Sequence, residues 1–439
     1  MTPGPEAAAE AQTVCRAAGT QEESKMADTC SIAAHAAERN RKPAPYTDQE
    51  AEENAARVGA RKRPKVFYNE LDADGGFIRQ ANTLLQSFGE GEGKWPVEAG
   101  RYRIYWAKGC NWSNRPVIAR NILGLQGIVT DELLEGTGET NQYGWGFRNS
   151  PGHRDPDTGA YFLSEFYENT LPGFSGRATT PTVVDIIDKK AVNNDYHRLT
   201  NYLEVQFRSL QPADAPDLYP RKFRGQIDEF NDWLFTHVNN GHYRMAFTRN
   251  PDIYQEAFDD FYAALDALEK RLGSNRFLFG DYILDSDIRL FVSLNRWDLS
   301  YFRNIGPVRR RIADYPNIWG YLRELYAIPA FRDATYLEDF ARGFSADNTD
   351  VDFADWNSRI GAKLDLQKIW ADDGHRKALS GHPDEVYLRH PAGESAEDYQ
   401  SEISFCPWNS DRVEDRDPRN PKNGLLSTDP SVNPLKGLL

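Results

Sequence analysis

Residues 103–116, RIYWAKGCNWSNRP, constrain the chain more than any other stretch. A short aromatic and apolar strand (Ile104, Tyr105, Trp106) passes through a turn at Lys108 and Gly109 and delivers one cysteine, Cys110, to the start of a helix. Unpaired backbone N–H groups and the positive end of the helix dipole favour thiolate over thiol at such a position, and the thiolate is the nucleophile. The second cysteine of a Cys-x-x-Cys redox pair falls at position 113, which holds Ser113. Chemistry here is therefore monothiol, and the resolving sulfur has to come from another molecule. The competing reading of a lone cysteine beside an apolar strand is a small buried hydrophobe.

The surrounding pattern is that of an α/β domain. A strand at Arg103–Ala107 leads to a helix over 112–125, whose Val117, Ile118, Ile122 and Leu125 share one face. Ile128–Thr130 reads as the next strand, and a polar, Gly-rich stretch ends in Tyr143-Gly-Trp-Gly-Phe147. A helix follows near Tyr161–Asn169, and then Pro181 opens a β-branched strand, where proline is tolerated. A thioredoxin-like fold places a cis-proline there, facing the cysteine, with the backbone of Thr180 open to an extended peptide. An ordinary turn proline is the alternative.

From residue 224 the periodicity becomes helical. One helix is expected over 225–247 and a second over 252–272, with a stripe of Phe258, Phe261, Leu265, Leu268 and Leu272. Two more run from about Ser286 to Phe302 and from Pro316 to Ile328. The expected organisation is a disordered segment over 1–62, a thioredoxin-like domain over 63–200, an all-helical domain over 201–345 and an irregular extension over 346–439. Met26 is a candidate alternative start to Met1.

The net charge of −14 argues against non-specific binding to nucleic acid or an anionic membrane. In so acidic a chain the basic run at 61–65 reads as a solvated approach to the first domain. Neither a membrane-spanning apolar run nor a signal-peptide core is visible, so a cytoplasmic location is expected. Cys15, Cys30, Cys110 and Cys406 are too scattered for a disulfide framework or a zinc site, which suits a reducing compartment. No metal site is expected.

These features together resemble cysteine-type glutathione transferases, and the finer motifs resemble the Xi class, the glutathionyl-hydroquinone reductases. The motifs are Pro96-Val-Glu-Ala-Gly-Arg-Tyr102, Trp145 in its Gly-Trp-Gly-Phe, Gly176-Arg177 ahead of Thr180-Pro181, and Asp217-Leu-Tyr-Pro220. Asn239-Asn-Gly-His-Tyr243, Asp287-Ile-Arg-Leu-Phe291, Asn295-Arg-Trp-Asp298 and Asp314-Tyr-Pro-Asn317 continue the series. The resemblance spans roughly residues 67–345 and implies a glutathione transferase fold, glutathione as co-substrate, a small aromatic (quinone-derived) substrate and a homodimer. It implies a catalytic Cys110 that takes glutathione from a glutathionyl-hydroquinone as a mixed disulfide, with a second glutathione restoring the thiolate.

By the same resemblance Tyr243 is a catalytic hydroxyl donor, Arg177 faces the glutathione carboxylates, and Trp145 packs on the tripeptide. Thr180 and Pro181 form its backbone rest, and Asp195 and Tyr196 hold its γ-glutamyl end. Each has a structural alternative: a core tyrosine, a salt bridge, a satellite-core anchor, a helix cap. The chain also departs from the family. Cys-Pro-Trp-Ala-His-Arg becomes Cys110-Asn-Trp-Ser-Asn-Arg115, so Asn111 and Ser113 are candidate donors to the thiolate. Pro116 then predicts a late or kinked helix start. The Glu-Ser pair becomes Asp195-Tyr196, and a late tyrosine falls at Phe344. Cys406-Pro-Trp408 copies the motif without a following helical stripe and is read as a decoy. The alternatives kept open are cleavage or dehalogenation of another aromatic glutathione conjugate, and a non-catalytic scaffold of the same fold.

Overall fold

The computed structural model describes residues 44–59, 70–136, 144–147, 150–342 and 365–394. Met1, Met26, Cys15, Cys30, Phe344, Trp408 and Cys406 lie outside the described residues.

The first element, α1 (Asp48–Gly59), corrects the expectation of disorder for the part of 1–62 that is described. Its inward face is only Ala51 and Val58, both buried, which is too thin a stripe to read from sequence. The chain just before it is pinned: Tyr46 donates its N–H to the Thr158 carbonyl (2.9 Å) and accepts from Arg154 (2.8 Å).

The α/β half is built on β1 (Tyr102–Trp106), one of the two inner strands of a four-stranded sheet. It lies parallel to β2 (Val129–Leu133) on one side, with Tyr102 opposite Val129 and Trp106 opposite Leu133. A small hairpin of β3 (Glu135–Gly136) and β4 (Trp145–Gly146) follows. On its other side β1 runs antiparallel to β5 (Thr182–Asp185), which pairs with β6 (Lys190–Asn193) at the edge. Every residue of β1 is buried, because helices cover both faces of the sheet. Alternation sends Tyr102, Ile104 and Trp106 toward α2 (Asn111–Ile122) and the helical half. Arg103 and Tyr105 point the other way, toward α3 (Leu163–Thr170). There Tyr105 stacks on Phe166 (5.4 Å) and its hydroxyl donates to Asp155 (2.8 Å), which also pairs with Arg103.

In the helical half, the single helix expected over 225–247 is instead three pieces. Helix α4 (Arg224–Leu234) widens into π-type turns over Phe235–Asn239, and α5 (Gly241–Phe247) follows. Gly241 permits this packing, since a Cβ there would lie 3.1 Å from the Phe261 ring. Helix α6 (Pro251–Leu272) starts with proline at its first position and with the Asn250 side chain accepting from the Asp252 N–H (2.9 Å). Its Phe261, Leu265, Leu268 and Leu272 are buried, each side chain contributing about 1.5–3 kcal/mol by leaving water.

Helix α7 ends at Leu294 (Asp285–Leu294) rather than near 302, and the chain re-forms a single 3-10 turn over Tyr301–Asn304. Helices α8 (Pro316–Ala327) and α9 (Leu337–Arg342) complete the bundle. Residues 365–394 form a strap of short turns fixed to this bundle. The wholly buried Arg376 donates to the carbonyls of Leu272, Asn317, Asn275 and Arg276 (2.7–3.2 Å). Arg276 in turn donates to Glu324 (2.7 Å) and to the carbonyls of His382, Pro383 and Glu385. Trp370 packs between Trp319 and Tyr326.

Candidate active site

Cys110 caps α2. Its backbone is extended (φ −92°, ψ 106°), and its carbonyl accepts from the N–H groups of Ser113 (3.2 Å) and Asn114 (3.1 Å). The expected late start is therefore corrected: the first turn closes before Pro116, whose missing N–H removes only a later rung of the ladder. The Thr180–Pro181 peptide is cis, and the Cys110 Sγ–H donates to the Thr180 carbonyl at 3.5 Å.

The turn that presents the cysteine is held from the opposite domain. Arg296, just past α7 and buried, donates to the Gly109 carbonyl (2.9 Å) and to Asn114 Oδ1 (2.6 Å). Asn114 donates in turn to the Ala334 carbonyl (2.9 Å). Burial lowers the basicity of Arg296, so its charge is retained against a desolvation cost and two phenols lie within its field.

Cys110 is half-buried and packs in one small apolar cluster with Trp112, Tyr196, Phe235 and Tyr243. The Arg79 guanidinium lies over three of these rings, 4.2 Å from the centre of Tyr243, 4.4 Å from that of Trp112 and 5.8 Å from that of Tyr196, while its Nε donates to Asn240 (2.7 Å). The Tyr243 hydroxyl donates to Asn111 Oδ1 at 3.0 Å and lies 3.1 Å from the Tyr301 hydroxyl. His242 stacks flat on Tyr301 (3.8 Å, 9°), and burial pushes its pKa down to about 3, so it stays neutral. Burial raises the pKa of both phenols, Tyr301 far more, although Arg79 beside Tyr243 and Arg296 beside Tyr301 work in the opposite direction. Both are protonated hydroxyls near neutral pH.

The site residues expected from sequence divide into two groups. Cys110, Thr180, Pro181, Tyr196 and Tyr243 come together. Asn111 and Ser113 do not bond the sulfur: Asn111 binds Tyr243, and the Ser113 hydroxyl turns back to the carbonyls of Ala107 (3.3 Å) and Cys110 (3.1 Å). Arg177 pairs with the buried Glu70, and its backbone is clasped by Gln80 (2.9 and 3.0 Å). Asp195 is fully buried and caps the turn that follows, accepting from the N–H groups of His197 and Arg198 (both 3.2 Å). Trp145 packs against the α3 side of the sheet. Arg79, Tyr301 and Arg296 also reach the site: Arg296 lies in the Asn295–Asp298 motif and Tyr301 just beyond it, but the sequence assigns none of the three a role there, because each arrives by its side chain across the fold. Among the described residues, no three His, Cys, Asp or Glu side chains gather as metal ligands, and no helix is long and apolar enough to cross a membrane.

Comparison with known proteins fits this geometry. The family model described as the glutathione S-transferase C-terminal domain matches residues 251–324. Glutathionyl-hydroquinone reductase YqjG of Escherichia coli K12 is 32% identical over 283 residues, 62% of this chain and 85% of that protein. The chain belongs to the Xi-class glutathione transferases. Glutathionyl-hydroquinone reductase PcpF of Sphingobium chlorophenolicum is likewise 32% identical over 256 residues, 58% of this chain and 79% of the relative. Among solved structures, a glutathione transferase from Gordonia bronchialis superposes with a TM-score of 0.59 at 32% identity, covering 68% of this chain and 92% of that one. The glutathione-bound structure of YqjG gives 0.54 at 30% identity, covering 61% and 88%. As a Xi-class member, the chain carries the glutathione transferase fold, with a thioredoxin-like half and a helical half. Its cysteine motif keeps Trp112 and Arg115 but sets Asn111 where the class resemblance expects proline.

Proposed function

We propose that this enzyme reduces glutathionyl-hydroquinones, with glutathione as its co-substrate. The carrying observation is the half-buried Cys110 at the start of α2, its sulfur on the Thr180 carbonyl and its side chain packed in one cluster with Tyr243, whose hydroxyl meets that of Tyr301. Family membership, with relatives named glutathionyl-hydroquinone reductases, supplies the substrate class.

In this reading the Cys110 thiolate attacks the sulfur of the glutathionyl group. The S–S bond forms as the bond from sulfur to ring carbon breaks, and that electron pair goes to the ring, which takes up a proton and leaves as hydroquinone. A second glutathione thiolate then attacks the mixed disulfide, giving glutathione disulfide and Cys110 thiolate; the ring system has gained the two electrons that two glutathione sulfurs have lost. Negative charge on the leaving ring resides on its oxygens, where the Tyr243–Tyr301 pair and the nearby Arg79 supply hydrogen bonding and positive potential. Thr180 supports the glutathione backbone through its peptide groups. Arg177 and Asp195 serve glutathione only indirectly, through the Glu70 pair and the helix cap, since both are already engaged.

The test is mass spectrometry of the intact protein after exposure to a glutathionylated naphthohydroquinone. The expected result is one glutathionyl adduct on Cys110, matched by released hydroquinone and absent in Cys110→Ser. An unmodified Cys110 with no released product overturns the proposal. Conjugation that survives in the variant points to a hydroxyl-based transferase instead.

A further inference from the structure

The residue after the nucleophile is where this chain departs from the family motif, and the structure gives that departure a partner. Asn111 is wholly buried, and its Oδ1 accepts the Tyr243 proton at 3.0 Å. A phenol has one proton to give. With that proton held by Asn111, the 3.1 Å contact between the two hydroxyls has to run from Tyr301 to the Tyr243 oxygen. The chain of donors is then Tyr301 to Tyr243 to Asn111, from the helical half across the domain interface to the helix that carries Cys110.

The two protons differ in how easily they are released. The Tyr243 proton rests on an amide oxygen, a strong acceptor. The Tyr301 proton rests on a neutral phenol oxygen, a weaker one. An anionic oxygen arriving on an aromatic ring therefore draws the Tyr301 proton first. Resting on the proposed reduction of glutathionyl-hydroquinones, we infer that Asn111 is a positioning residue that ties up the Tyr243 hydroxyl, so that Tyr301 supplies the O–H to the oxygen of the leaving ring. Two further observations agree. The Asn111 Nδ2 is buried without a hydrogen-bond partner among the described residues, so the bond its oxygen accepts from Tyr243 is the one hydrogen bond this side chain makes there. His242 and Arg296 fix Tyr301 from two sides, the first by stacking at 3.8 Å and the second with its guanidinium 6.0 Å from the ring centre.

The experiment compares hydroquinone release from a glutathionylated naphthohydroquinone for Tyr243→Phe and Tyr301→Phe, each in the native chain and with Asn111→Ala. In the native chain, Tyr301→Phe is expected to cost more in kcat than Tyr243→Phe. With Asn111→Ala the Tyr243 proton is set free to replace that of Tyr301, so the Tyr301→Phe penalty shrinks about fivefold, the worth of one ordinary hydrogen bond. Asn111→Asp keeps an acceptor and retains the native order. A structural role for Asn111 would scale all variants alike and leave the ratio unmoved.

A Tyr301→Phe penalty that is unchanged or larger without Asn111, or a native Tyr243→Phe penalty exceeding that of Tyr301→Phe, overturns the inference. Should Asn111→Ala fail to fold, the near-isosteric Asn111→Leu replaces it. Adduct formation on Cys110 from glutathione disulfide serves as the check on fold and thiol. If the native protein forms that adduct but releases no hydroquinone, the proposed function itself fails, which separates the two conclusions.

Discussion

Replacing Arg296 by methionine tests the idea that the helical half holds the Cys110 turn in place. The guanidinium donates to the Gly109 carbonyl (2.9 Å) and to Asn114 Oδ1 (2.6 Å), both in or beside the turn around Cys110. It also lies 4.2 Å above the Phe340 ring. Methionine fills much of the volume but leaves both of these acceptors unpaired, along with Asn295 Oδ1, which accepts from the Arg296 Nε at 3.2 Å. Hydrogen bonds to a charged group contribute about 1.5–3 kcal/mol each, so loss of the two at the cysteine turn alone amounts to about 3–6 kcal/mol. Against that stands the desolvation that burial already imposes on the cation, seen in its lowered basicity, which the variant no longer bears. A net loss of about 3 kcal/mol is expected, read as a lower urea midpoint at unchanged m-value. Arg296→Lys keeps the charge but not the fork, and recovers about half of it. The rate of Cys110 alkylation should change in both variants, because the turn that presents the sulfur at the start of α2 is loosened. A stability loss under about 1 kcal/mol would refute the reasoning, since two buried bonds to charge would then be worth nothing net.

Other outcomes follow from buried groups elsewhere. His242 has its pKa pushed from 6.5 down to about 3, so the unfolded chain binds a proton below pH 6.5 that the folded chain refuses, and stability falls as pH drops through that window. His242→Phe should therefore lose about 2 kcal/mol less between pH 7 and pH 5 than the native chain, and equal losses in the two proteins would contradict the assignment. Arg376→Ala removes four bonds to main-chain carbonyls. It should cost about 3 kcal/mol or more and speed limited proteolysis within 365–394, whereas native-like resistance would show that the strap is held by other contacts.

What could be read in the sequence was whatever repeats locally. The strand through Ile104 and Trp106, the Lys108–Gly109 turn, the helix face of Val117 and Ile118, and the placement of Thr180–Pro181 are short-range patterns with periods of two or three to four. They led to Cys110 at its helix start and to its cis-proline neighbour. The break at Phe235–Asn239 was invisible, because apolar spacing continues across it while the backbone widens to bring Gly241 against Phe261. Helix α1 was missed for the opposite reason, since two buried side chains give no stripe. The site's arginines were missed because composition places such residues in solvent. Arg79 is spread over aromatic rings and Arg296 is buried across an interface, and only the tertiary structure brings the rings and carbonyls that accept them. Arg177 and Asp195, expected to bind glutathione, have their charges engaged by Glu70 and by a helix cap, partners that no local pattern announces.

The clasp around Arg376 bears on where this protein ends as a physical object. The motifs that resemble the family span roughly residues 67–345, which invites trimming there. Such a cut would leave the carbonyls of Leu272, Asn275, Arg276 and Asn317 facing water at the end of α6 and on α8, and would strip the Arg276–Glu324 pair of its cover. Backbone groups that the native chain satisfies internally would have to be hydrated at the mouth of an apolar core. A stable version of the helical half therefore keeps the segment around Arg376, and the strap is inherited with the bundle rather than appended to it.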